Sequence, residues 1–106
     1  MKVLFVCSQN RLRSPTAARV FSGWPGIETR SAGTDATAQV TISEALLDWA
    51  DLVVCMEREH RLLIRQRWPL IAAQKRMASV DIPDEFEFMA PALVETLRER
   101  VPHLLT

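Results

Sequence analysis

Cys7 and Arg13 near the start of the chain are separated by five residues, Ser8, Gln9, Asn10, Arg11 and Leu12, with Ser14-Pro15 directly after. A thiol and a guanidinium at that spacing could do phosphate chemistry if the segment between them is a loop. Val3-Leu4-Phe5-Val6 before it reads as a buried strand. Ser14 is a good helix N-cap, and Pro15 suits a first helical position. The expected order is therefore strand, short polar loop, helix. Backbone N–H groups of residues 8 to 14 would converge on one point at the positive end of the helix dipole, a site for a dianion. Arg13 could add a bidentate fork to two phosphate oxygens. The same field favours the thiolate of Cys7 over the thiol. A thiolate nucleophile inside an oxyanion cradle describes phosphoryl transfer through a cysteinyl-phosphate. Arg11 and Arg13 at a helix start oppose the dipole unless an anion binds there, which argues against a merely solvated face.

The elements that must hold this loop follow from the rest of the chain. Its 106 residues suit one domain, 1–106, and 48% hydrophobic with 25% charged residues is an ordinary globular balance. Thirteen basic and thirteen acidic side chains cancel, so no global field recruits nucleic acid or an acidic membrane. The first apolar run is too short for a signal-peptide core, and nothing later approaches a membrane span. Two cysteines, one needed as a thiolate, suit a reducing cytoplasm.

In chain order, Ala17, Phe21 and Trp24 give the first helix an apolar face, ended by Gly23 and Pro25-Gly26. Ile27 to Ser31 reads as a second strand, closed by Ala32-Gly33-Thr34, and 35–40 as a short linker. Thr41-Ile42-Ser43-Glu44 is a capping-box pattern, followed by a helix with its stripe at Ile42, Ala45, Leu46 and Trp49. Asp51 to Met56 is a third strand, continuous in apolar residues as when helices cover both faces. A helix with Leu62, Leu63, Ile64 and Trp68 stops before Pro69. Arg76 to Ile82 is a fourth strand, and Pro91 opens a last helix with Leu93, Val94, Leu97 and Val101 buried. This alternation predicts an α/β fold: a parallel sheet with helices on both faces, and ligands beyond the carboxyl ends of the strands.

The run Phe5-Val6-Cys7-Ser8-Gln9-Asn10-Arg11-Leu12-Arg13-Ser14-Pro15-Thr16-Ala17-Ala18 resembles the phosphate loop of the low-molecular-weight protein tyrosine phosphatases. Ser31-Ala32-Gly33-Thr34 and the stretch from Ala50 to His60 resemble the same family, so the likeness spans residues 1–34, 41–68 and 76–101. It implies a three-layer fold with strand order 2-1-3-4. It further implies a phosphatase with Cys7 as nucleophile, with Arg13 and loop residues Ser8 to Ser14 holding phosphate, and with Ser14 steadying the thiolate. Ser31 would hydrogen-bond the loop through Asn10. The leaving group's proton would come from Asp84, on the family's acid position, with Asp81 as competitor. Phe86 would flank the pocket and stack on a phenyl ring, with Phe88 helping or covering the core.

Four departures from the family pattern stand out. Gln9 replaces a usual glycine, Leu12 a frequent second cysteine, and Glu85 a proline, and the 35–40 segment is short. The resemblance implies a phosphorylated protein or small phosphomonoester as substrate. No cofactor, metal, nucleic acid or membrane partner is expected, and a monomer is. Two alternatives share the loop: a phosphate-binding module without turnover, and thiol-dependent arsenate reduction, which needs a relay of further cysteines where only Cys55 remains. Cys55 reads as a core residue. A Cys7–Cys55 disulfide, standing in for the cysteine missing at Leu12, would depend on both facing the same side of the sheet.

Overall fold

The computed structural model describes every residue, Met1–Thr106. Four parallel strands, β1 (Lys2–Cys7), β2 (Glu28–Gly33), β3 (Leu52–Cys55) and β4 (Arg76–Ser79), form one sheet in the order β2-β1-β3-β4. Five helices connect or follow them: α1 (Arg13–Phe21), α2 (Glu44–Trp49), α3 (Arg58–Arg67), α4 (Pro69–Gln74) and α5 (Pro91–Arg100). A 3-10 turn, Pro102–Leu105, closes the chain. No helix is long and apolar enough to cross a membrane.

Strand composition follows strand position. Central β1 and β3 are buried on both faces and carry unbroken apolar runs, whereas edge strands β2 and β4 are partly exposed and polar. The two-residue alternation of β1 splits the core. Val3, Phe5 and Cys7 pack with Leu52, Val54 and Met56 against Ala17 and Phe21 of α1 and Leu93 and Leu97 of α5. Leu4 and Val6 pack with Val53 and Cys55 against Leu47 of α2, Ile64 of α3 and Ala72 of α4. Each of these large side chains contributes about 1.5–3 kcal/mol by leaving water.

That alternation corrects the disulfide expectation. In the β1–β3 register Val6 is the partner of Cys55, so Cys7 is one residue out of phase. The two thiols lie in cores on opposite faces of the sheet, and both cysteines are free. Burial pushes the Cys55 thiol up to about 12, with Arg61 and Arg65 opposing weakly, so it stays protonated and inert.

Other differences are local. Helix α1 begins at Arg13 rather than Pro15, and the Ser14 hydroxyl is engaged elsewhere instead of capping it. Trp24 lies past the helix end, half-exposed, its ring edge-on to Phe21 at 5.0 Å. The N-cap of α2 is Ser43, whose side chain accepts from Leu46 N, while Thr41 forms a β-bridge to Gly33. This two-residue shift buries Leu47 and leaves Ala45 exposed. Leu62 of α3 is likewise exposed. Pro69 does not end helical structure but starts α4 at a position where its missing N–H costs nothing. Strand β4 stops at Ser79, although Val80 N and Ile82 N still bond to Cys55 O and Met56 O.

Candidate active site

The carboxyl edge of the central strands is where the chemistry-bearing residues gather. The chain leaves β1 at Cys7, turns through residues 8–12 and enters α1 at Arg13. Asn10 adopts φ 55°, a left-handed conformation that asparagine tolerates better than most residues. This turn aims the Asn10 N–H at Cys7 Sγ, 3.2 Å away. The Asn10 side-chain amide donates to Ser14 Oγ at 2.9 Å, and Ser14 Oγ lies 2.9 Å from Cys7 Sγ. Ser14 Oγ can give its proton to Ala32 O at 3.4 Å or to the nearer sulfur, and a thiolate, which can only accept, takes it. With Cys7 ionised, two donors then point at Sγ.

Arg13 is buried beneath the loop, 2% exposed. Its Nη1 donates to Glu57 Oε1 and, at 2.7 Å, to the Ile82 carbonyl. Those bonds use the two Nη1 protons and leave Nε and Nη2 as a fork. Asp84 Oδ1 stands 3.7 Å from Nε. Glu57 is the N-cap of α3, in a capping box closed by His60. The Glu57 N–H donates to His60 Nδ1 at 3.0 Å, and His60 Nε2 lies 2.9 Å from Ser8 Oγ. His60 titrates below its ordinary 6.5, first through burial and then through Arg13, against Glu57, Glu59 and Asp84.

The segment after β2 braces the loop from behind. Thr34 N, Asp35 N and Gln39 N donate to the carbonyls of Cys7, Ser8 and Gln9 at 2.9, 2.9 and 3.1 Å. A Cβ at Gly33 would overlap Ser8 O and come within 2.6 Å of Ala38 Cβ, so only glycine permits this close approach. The short 35–40 segment thus backs the cradle.

Cys7, Gln9, Arg11, Leu12, Arg13 and Asp84 line one cleft of about 300 Å³. Ser8, Asn10 and Ser14 lie behind it in the bonds just described. Asp81 lines a different cleft with Arg100 and His103, and its carbonyl is held by Arg100 at 2.7 Å. Phe86 packs half-buried against the core and Phe88 is exposed; neither lines the Cys7 cleft. Ser31 pairs with Phe5 across the β1–β2 ladder, and Asn10 reaches Ser14 in its place. Glu57 and His60 were not anticipated from sequence as site residues. Their one signal is a carboxylate three residues before a histidine at a helix start, the spacing of a capping box. No group of three or more His, Cys, Asp or Glu side chains is placed to hold a metal ion.

No family model and no curated protein matches the sequence. Solved structures do match. The YwlE arginine phosphatase from Geobacillus stearothermophilus is 26% identical, with TM-score 0.79 over 98% of this chain and 92% of that one. A YwlE C7S mutant with a phosphorylated active-site serine is 21% identical, with TM-score 0.80 over 98% and 93%. A low-molecular-weight protein tyrosine phosphatase from Bacillus subtilis is 21% identical, with TM-score 0.73 over 99% and 92%. Over nearly its whole length, this chain has the fold of the low-molecular-weight protein tyrosine phosphatases.

Proposed function

We propose that the chain is a cysteine-dependent phosphatase hydrolysing phosphomonoesters, with protein phosphotyrosine as the first substrate class. The observation that carries this reading is Cys7 Sγ in a cleft, met by the Ser14 hydroxyl and the Asn10 N–H beside the Nε–Nη2 fork of Arg13. The Cys7 thiolate attacks phosphorus, forming S–P as the ester P–O bond breaks. The departing oxygen takes the proton of the Asp84 carboxylic acid. Water then attacks phosphorus and gives its proton to the Asp84 carboxylate, S–P breaks, and inorganic phosphate leaves with the thiolate restored. Arg13 and the loop N–H groups hold the equatorial oxygens throughout, stabilising charge where it develops. Likeness to a structure whose active-site serine carries the phosphoryl group supports the covalent step.

A second substrate class is phosphoarginine in proteins. It is favoured by a cleft lined without any aromatic ring and by the arginine phosphatase among the similar structures. Arsenate reduction loses its basis, because Cys55 lies across the sheet from Cys7. Two free thiols fit the reducing cytoplasm as the compartment.

The test compares p-nitrophenyl phosphate, a phosphotyrosine peptide and a phosphoarginine peptide with wild type and Cys7→Ser. Wild type should turn over the aryl phosphate, and Cys7→Ser should bind inorganic phosphate without turnover. Wild type that binds phosphate yet releases no product would make the chain a binding module instead.

A further inference from the structure

His60 carries two bonds whose directions are fixed. The Glu57 backbone N–H can only donate, so His60 Nδ1, 3.0 Å from it, is an unprotonated acceptor. The neutral ring then has its proton on Nε2, which donates to Ser8 Oγ at 2.9 Å. Ser8 follows the nucleophile directly and begins the anion cradle. Its carbonyl is pinned from the other side by Asp35 N. The histidine is 3% exposed, and burial, with Arg13 of α1, holds it neutral against Glu57 and Glu59 of its own segment and Asp84 of the facing loop.

We propose that His60 is a positioning residue for the phosphate loop: as the Nε2–H tautomer it clamps Ser8 against the N-terminus of α3, so that one ring sets both the helix cap and the first turn of the anion cradle. The inference rests on the phosphatase reading for its kinetics but not for its binding. The same capping box orients Glu57, which holds Arg13 Nη1. The N-terminus of α3 therefore grips the cradle at both ends, through Ser8 and through Arg13.

The two bonds of the ring can be separated by substitution. Asparagine places an acceptor near Nδ1 and has no group at Nε2, whereas glutamine places an amide donor near Nε2 and no acceptor at Nδ1. His60→Asn should keep the melting temperature close to wild type. It should also raise KM and the inhibition constant for inorganic phosphate together by about five- to tenfold, the weight of one hydrogen bond, with kcat within about twofold. His60→Gln should lower the melting temperature yet hold KM and phosphate inhibition within about twofold of wild type. Ser8→Ala should reproduce His60→Asn, and the double variant should lose nothing more. Loss of phosphate affinity in proportion to lost stability in both histidine variants, or additive losses for Ser8→Ala and His60→Asn, would overturn the proposal. Phosphate binding followed by phosphorus NMR reads the same clamp without turnover, so an inactive wild type would defeat the phosphatase reading alone.

Discussion

Two loops meet at the cleft and are built differently. The loop from Cys7 to Arg13 is buried at its working positions, with Cys7, Asn10 and Arg13 at most 3% exposed. It is braced from β2, α1 and α3. The loop from Val80 to Ala90 carries Asp84 with its side chain 63% exposed. Pro83, Glu85 and Glu87 beside it are exposed too. Its fixed points flank Asp84 at some distance: Ile82 N on Met56 O, the Phe86 ring against the core, and Met89 N on Thr16 Oγ1 at 2.9 Å. The difference suits the two tasks proposed for them. Phosphate oxygens have one geometry and reward a preorganised cradle, whereas leaving groups vary and need an acid that can follow them. Substitutions at the buried positions Cys7, Asn10 and Arg13 should therefore disturb structure and chemistry together, and substitution of the exposed Asp84 chemistry alone.

Asp84→Asn is the sharpest test of that contrast. Rates for alkyl phosphates with poor leaving groups should fall by roughly 10²–10⁴-fold, and those for activated aryl phosphates much less. Thermal unfolding should shift by no more than about 0.5 kcal/mol. A larger loss from Asp81→Asn would move the acid to the other cleft and break the comparison.

Arg13→Lys keeps the charge and loses the fork, so kcat/KM should fall by about 10²–10³-fold. Because Arg13 is buried and paired with Glu57, denaturant unfolding should register this change as well, in contrast to Asp84→Asn.

Gly33→Ala touches no substrate yet places a methyl group against Ser8 O. Overpacking there should cost about 1–3 kcal/mol in stability and weaken phosphate binding in parallel. An unchanged loop would mean that the brace from β2 is dispensable.

The smallest effect is a slope with pH. His60 titrates below 6.5 in the folded chain and near 6.5 when unfolded. Between those values the unfolded state binds more protons. Stability is therefore complete above about pH 6.5 and declines as pH falls toward the lower folded value. Urea unfolding from pH 7.5 to 5 should show this decline in wild type and a shallower one in His60→Asn.

What could be read from residue order alone was whatever depends on near neighbours. The apolar run Val3–Val6 declared a buried strand, Cys7 to Pro15 declared a strand–loop–helix anion cradle, and Pro91 marked the start of α5. Each rests on periodicity, capping or steric preference acting over a few residues. The boundaries went astray where a side chain had two possible partners. Ser14 could cap a helix or face a sulfur, and only the fold brings Asn10 and Cys7 within reach of its hydroxyl.

Tertiary structure alone decided what depends on residues far apart in the chain. Parity of register, Val6 opposite Cys55, set the two thiols on opposite faces. The path after β4 chose Asp84 over Asp81 for the Cys7 cleft and turned Phe86 into the core. Glu57 and His60, more than forty positions from the loop they support, could not be assigned to it beforehand. Nothing local in a helix cap specifies which buried arginine or which serine will be packed against it.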